Sequence, residues 1–331
     1  MRETNAMRRP STAVVVLASV CVFYFVGLAR PAFPQAFVPP KGEGSVTISF
    51  QNSLARGHLL PTGKLASGAA GTGPVRAQVL TSEIEFGLTD RFALNLSLPA
   101  VRSKYGGSLP HLIDAHGDPT TIDDGAYHSA AQDFRFGVRF NITARPLVVT
   151  PFAEAIVPSH EYESRGHAVP GLDLRGLAVG TNVAGFVDAI PGTYFHTQLS
   201  HAVVQKVAGV RPNRSRVDSE VGYFVTPRLA VRFLESFQIT HDGLDFPYAG
   251  LSRELSLNHD RLSRNNYLNL GGGFTYAINE SLSVFAAASK LVWGQNVHTN
   301  RGVAIGVNMH FRTSPEVTKT TSKSVTNVVR F

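Results

Sequence analysis

Apolar and polar residues alternate with a period of two in stretch after stretch of this 331-residue chain. No other sequence feature limits the fold as much. Successive side chains of a β-strand point to opposite faces, so each such stretch reads as a strand with one apolar and one polar face. Val46, Ile48 and Phe50 alternate with Thr47, Ser49 and Gln51. Phe134, Phe136, Val138, Phe140 and Ile142 alternate with Asp133, Arg135, Gly137, Arg139 and Asn141. Val303, Ile305, Val307, Met309 and Phe311 alternate with Ala304, Gly306, Asn308 and His310. No segment after residue 36 sustains a 3.6-residue period.

The pattern predicts twelve strands, over 44–53, 77–88, 91–101, 131–142, 147–157, 173–185, 193–206, 216–225, 229–240, 267–278, 282–292 and 301–311. Most are about as long as a tilted strand needs to cross a bilayer. Glu154 and Glu235 interrupt the alternation of their strands. The connections sort by length. Short turns fall at 89–90, 143–146, 188–192, 226–228 and 279–281, and long Gly/Pro/His/Asp-rich segments at 54–76, 102–130, 158–172, 207–215, 241–266 and 293–300. Membrane barrels have short turns at one end and longer loops at the other, whereas a soluble sandwich has no reason to sort them. The expected fold is all-β: an antiparallel up-and-down transmembrane β-barrel of about 12 strands over 37–311, with both termini on the short-turn side. The turns also repeat. Gly87-Leu88-Thr89-Asp90-Arg91-Phe92-Ala93-Leu94 parallels Phe224-Val225-Thr226-Pro227-Arg228-Leu229-Ala230-Val231. Phe86, Phe92, Phe140, Tyr223 and Tyr276 lie near the turns, as an aromatic girdle requires.

Composition agrees with this fold. Charged residues are 17%, below the ~25% of a typical soluble domain. A mean hydropathy of +0.01 is far too polar for a helical membrane bundle. The net charge of +7 sits at the ends, +3 in residues 1–30 and +3 in 312–331, so it argues for no nucleic-acid partner. The single cysteine, Cys21, excludes an internal disulfide framework.

Arg8 and Arg9 precede an apolar run from Ala13 to Ala29, and small residues follow, with Ala29, Ala32 and Ala36 all open as cleavage positions. Residues 1–36 therefore read as a cleaved export signal and a short N-terminal segment. A retained anchor is the alternative. The 312–331 extension is polar, rich in Thr, Ser and Lys, then apolar to Phe331.

Glu83, Glu85, Asp133, Arg135, Arg139, Lys206 and Arg232 fall on polar faces and are the candidate lumen-lining residues. They read either as a selectivity lining or as ion pairs that brace the lumen. Both signs on neighbouring strands favour bracing. Nine histidines lie in the long segments (His58, His111, His116, His128, His160, His167, His241, His259 and His298), but their spacing matches no ligand signature. They read as solvated loop residues, and no metal or cofactor is expected. Ser200-His201 and His128-Ser129 are adjacent pairs whose side chains face opposite ways on a strand, a poor start for a nucleophile and base. No Gly-x-Ser-x-Gly, phosphate loop or His-Glu-x-x-His occurs.

The segment Glu85-Phe86-Gly87-Leu88-Thr89-Asp90-Arg91-Phe92-Ala93-Leu94-Asn95-Leu96-Ser97-Leu98-Pro99 resembles the meta-pathway phenol-degradation proteins. So do Asp123-Asp124-Gly125-Ala126-Tyr127-His128-Ser129, Gln132 to Arg139, and Val221 to Leu229. The resemblance covers most of 44–311. It implies an outer-membrane barrel, distantly like long-chain fatty-acid transporters and linked to uptake of hydrophobic or aromatic compounds. Outer-membrane lipid, small hydrophobic or aromatic solutes and the barrel-assembly machinery are the partners it implies. Such barrels end in an aromatic, and Phe311 fits that position. A structural, non-conducting barrel and an outer-membrane lipid hydrolase are the alternatives. The segments 54–76, 102–130 and 241–266 are candidate lids, and Gly68 to Gly73 would give the first of them freedom to move.

Overall fold

The computed structural model describes residues 36–66, 73–107, 122–246 and 250–313. Residues 1–35, which hold the expected export signal, His111, His116, most of the Gly68–Gly73 stretch and the tail beyond 313 lie outside the described residues.

The chain forms β1 (Glu43–Leu59), β2 (Val75–Thr89), β3 (Phe92–Tyr105), β4 (His128–Ala131), β5 (Phe134–Phe140), β6 (Val148–Val157), β7 (Gly176–Phe186), β8 (Thr193–Val204), β9 (Arg214–Thr226), β10 (Leu229–Thr240), β11 (Asn266–Ala277), β12 (Leu282–Gln295) and β13 (Val297–Arg312). Two short helices, α1 (Arg253–Leu257) and α2 (His259–Leu262), interrupt the connection before β11. β4 and β5 both pair with β3 and are two pieces of one strand broken at Gln132 and Asp133. Every strand pairs antiparallel with its neighbours in sequence, and β1 closes on β13 from Glu43↔Arg312 to Leu59↔Val297. The fold is a closed barrel of twelve antiparallel strands.

All twelve expected strands form. One of the long connections does not: the segment 293–300 is almost entirely strand. Asn296 makes the reversal alone with φ of 52°, a region that Asn enters more readily than most residues. Its side chain also ties down the 241–265 connection, accepting from the Phe246 N–H at 3.0 Å and donating to Asp245 at 2.6 Å. The polar composition of Asn296 to Asn300 hides this, because polar residues read as loop whether or not the backbone is paired.

Two of the short turns share a cause that explains their sequence repeat. The Thr89 hydroxyl accepts from the N–H groups of Arg91 and Phe92 at 3.2 and 3.0 Å. The Thr226 hydroxyl does the same for Arg228 and Leu229, at the same distances. A side chain that satisfies two turn amides fixes the reversal without glycine.

Directly opposite residues trace the strand tilt. From Gly44, at the short-turn end of β1, the row runs through Phe86, Leu94, Val138, Ala153 and Val179 to His201, near the other end of β8. Rows therefore climb from β1 toward β8, as closure of a sheared sheet requires. The outward positions are apolar and exposed: Phe50, Leu80, Phe136, Leu177, Phe274 and Ile305 are each 40–56% accessible. A continuous apolar exterior of this kind needs an apolar solvent.

Candidate functional site

The inward positions of the same strands make the site. Arg139 of β5 is buried and paired with Glu85 of β2. Four residues back along β5, Arg135 reaches Glu154 of β6 at 2.8 Å, and Asn95 of β3 donates to the same carboxylate at 3.4 Å. Across the lumen, Arg232 of β10 meets Glu220 of β9 at 3.2 Å, and the Tyr194 hydroxyl donates to Glu220 at 2.6 Å. Arg216 and Asp218 on β9 pair at 2.7 Å, and Ser236 donates to Asp218. This layer leaves a cavity of only about 50 Å³, bordered by Glu83, Glu85, Arg139 and Glu154.

Glu83, Glu85, Arg135, Arg139 and Arg232 thus lie in this inward layer. Asp133 stands at the break between β4 and β5 and borders the chamber above. Lys206 is a correction. β8 ends at Val204, Val207 and Val210 pair across a tight turn, and Lys206 is exposed in that connection. Glu154 and Glu220, the partners of the arginines, were not among the expected lining residues. Alternation tells which face a residue takes, but only the register tells which charge stands opposite.

Two chambers flank the charged layer. Toward the long-loop end, a polar cavity of about 360 Å³ is bordered by Gln51, Asp133, Arg135, Tyr267, Asn269 and Arg301. Toward the short-turn end lies a mainly apolar cavity of about 270 Å³, lined by Phe37, Tyr194, Phe224, Ala230 and Ala277, with Glu220 and Arg232 at its polar side. The segment before β1 helps to build this second chamber. Ala36 is fully buried against Val148 and Ala184, and its carbonyl accepts from Thr150 at 2.5 Å.

The mouth at the long-loop end is filled by the 158–175 connection, which is not among the expected lids. The Tyr162 hydroxyl donates to Asp133 at 2.5 Å and accepts from the Asp173 N–H at 2.8 Å. Burial, then Asp133, raise the Tyr162 phenol, so it stays a donor. Ser103 of β3 donates to the Ala168 carbonyl. Asp123, fully buried, accepts from the His167 and Ala168 N–H groups at 2.8 and 3.0 Å and meets the His167 ring at 3.0 Å. Asp260 of α2 accepts from Gly166, and Arg261 reaches Asp173 at 3.2 Å. Three connections interlock: 122–127, 158–175 and 241–265.

Burial works against ionisation of Asp123, but the His167 ring and the backbone N–H groups outweigh it and hold the carboxyl below its usual range. Burial likewise opposes a charged His167, and Asp260 and Asp123 outweigh it and raise its pKa. The expectation of solvated loop histidines fails here. His58 of β1 and His298 of β13 stand opposite each other with ring centroids 4.7 Å apart, and His167 lies 5.8 Å from His298 and 6.5 Å from His259. Among the described residues no group of three His, Cys, Asp or Glu has the geometry of a metal site. The adjacent Ser/His pairs do not meet either. His201 contacts Ser215 at 3.0 Å, and His128 contacts Asp124 at 2.8 Å.

The wall itself is split. β12 and β13 pair only as far as Lys290↔Arg301. Beyond that, β12 stays on β11 to Gln295↔Asn266 and β13 stays on β1 to Leu59↔Val297. At the foot of this split, Ser53, Ser289, Arg301 and Gly302 border both the polar chamber and a groove of about 780 Å³ on the outer face.

No protein-family model matches the chain, so the resemblance in its turns has no support from that comparison. No curated protein matches it. Among solved structures, the COG4313 outer membrane channel from Pseudomonas putida F1 superposes with a TM-score of 0.65 at 11% identity, over 86% of this chain and all of the channel. The CymD monoaromatic hydrocarbon channel gives 0.42 at 12% identity, over 83% of this chain and 90% of its own. The P. putida toluene transporter TodX gives 0.41 at 9%, over 84% and 92%. The last two likenesses are too loose to argue from. The first shows that the chain has the fold of a twelve-stranded membrane barrel.

Proposed function

We propose that the protein is a passive outer-membrane channel for small, mainly apolar or aromatic molecules. The carrying observation is the apolar chamber inside the barrel. Its wall of Phe37, Tyr194 and Phe224 would have no use in a water-filled pore, and about 270 Å³ is close to the low end of small-molecule sites. Tyr194 and Phe224 stand 5.4 Å apart at a tilt, a geometry that suits stacking against a third ring. The similarity to the COG4313 channel agrees with this reading, as does the resemblance to proteins linked to aromatic catabolism. The charged layer above the chamber excludes free diffusion of large hydrophilic solutes. The short turns face the periplasm, the interlocked connections face outward, and residues 1–36 direct export.

Liposomes containing the purified chain test this. Alkylphenols and aromatic acids are expected to enter faster than in protein-free vesicles, and sugars not to. No protein-dependent entry of any solute would overturn the channel in favour of a structural barrel, and release of fatty acid from the vesicle lipid would point to a hydrolase.

A further inference from the structure

The outer surface carries a second feature that passage of solutes does not use. Lys290 of β12 stands opposite Arg301 of β13. Arg301 stands opposite Leu54 of β1, Leu54 opposite Arg76 of β2, and Arg76 opposite Lys104 of β3. Four of five successive residues in one outward row are therefore cationic. Arg102 adds a fifth charge one outward position below Lys104, and Arg102 and Lys104 both lie over the Tyr127 ring, at 4.3 and 5.6 Å. Among the described residues none of the five has a carboxylate within ion-pair distance. The acid nearest in the row, Glu235, is two strands beyond Lys290. At the same end of β6 to β10 the outward strand positions are Val157, Leu177, Val203, Ser215 and Ile239, all uncharged. The charge belongs to one sector of the wall.

Height places this sector at a bilayer surface. Gly44 lies beside Phe86 and Phe311, which stack in the aromatic zone at the short-turn end. Leu54 is ten residues further along β1. At about 3.3 Å per residue and a tilt near 40° that is about 25 Å of height, the thickness of the apolar band of a membrane barrel. The row climbs toward Lys104, so Arg76 and Lys104 reach headgroup level directly, and the long stems of Lys290 and Arg301 carry their charges up to it. Below the row, Gly272 and Ala288 leave the outer groove of about 780 Å³, walled by Phe233, Leu270, Leu54 and Val303.

We propose that this sector binds a phosphorylated glycolipid of the outer leaflet. One phosphate sits at the Lys290/Arg301 pair and one at the Arg76/Lys104 pair. An acyl chain lies in the groove between Phe233 and Val303. The spacing favours two phosphates rather than one: the pairs are centred three strands apart, about 14 Å at the usual strand separation. Guanidinium groups and ammonium groups both bind phosphate, the former bidentately, and each basic residue at a membrane surface adds about fivefold to binding of an anionic lipid.

The test uses the full chain in detergent and four probes: diphosphorylated lipid A, its monophosphorylated form, its dephosphorylated form and inorganic phosphate. Occupancy is read by native mass spectrometry. Diphosphorylated lipid A is expected to bind best. Arg76→Gln with Lys104→Gln, and separately Lys290→Gln with Arg301→Gln, should each weaken it by about tenfold or more. Arg145→Gln with Arg228→Gln, at the short-turn end, should leave it unchanged. Heat-modifiable gel mobility confirms that each variant is a barrel, and Arg76→Gln alone serves if a double variant does not assemble. Equal binding of the dephosphorylated lipid, or equal binding by the variants, overturns the proposal. So does binding of inorganic phosphate with the affinity of the lipid, which would make the site one for a free anion.

Discussion

Gly137 and Val138 are adjacent in β5 and meet different surroundings. Val138 faces outward at the depth of Leu94 and Ala153, near the middle of the apolar band. An arginine there costs roughly 2–4 kcal/mol, so Val138→Arg is expected to abolish the heat-modifiable band of the assembled barrel. Gly137 faces Asn95, and a methyl group built on it would lie 2.3 Å from the Asn95 carbonyl oxygen. Gly137→Ala should therefore assemble, with Asn95 pushed off Glu154. Normal assembly of Val138→Arg would mean that the faces are reversed. At this scale the sequence is highly legible, because a period of two assigns a face to every residue between two turns. Legibility stops at pairing. Arg232 is recognisable as inward-facing, but its placement against Glu220 and Tyr194 depends on how β9 and β10 slide past each other.

The 158–175 connection behaves as one element with 122–127 and α2, and its hold depends on pH. His167 faces Asp123, Asp260, Tyr105, His259 and His298. Its raised pKa means that the closed form favours the charged ring. That contribution is complete below about 6.5 and is lost as pH rises through the raised value. Asp123, held below its usual range, contributes above about 3.8 and stops contributing as pH falls through its lowered value. The connection is thus expected to be tightest near pH 5–6. Protease cleavage within 158–175 should be faster at pH 9 than at pH 5.5 relative to an unstructured control peptide, and His167→Gln should remove the difference. The same cleavage ratio for variant and parent would refute the role of His167. This element was not legible in the sequence. Its contacts join residues more than forty positions apart, such as Asp123 with His167 and Ser103 with Ala168, and no local period encodes them. The two short helices were missed for a related reason: at five and four residues they are too brief to show a helical repeat.

At the scale of the whole molecule, the period-two alternation located the twelve strands, and the sorting of short and long connections between them carried the topology. What it could not carry was the height at which each pair of strands stops pairing, which produced the misplaced loop at 293–300. Closure of β1 on β13 joins residues separated by nearly the entire described chain, from Ser45↔His310 to Leu59↔Val297. Every other strand finds its partner next to it in sequence, at a small loop-closure cost that grows only slowly with length. The last pairing instead waits for the last strand. Until β13 arrives, the sheet has two unpaired edges, and β1, the longest strand at 17 residues, is one of them. Open edges of that length are templates for any neighbouring strand. A chain lacking 297–331 would accordingly not make a smaller barrel but an open, adhesive sheet, and an unfolding force applied between residues 43 and 312, which stand directly opposite each other, would peel the closing seam one pair at a time from the short-turn end.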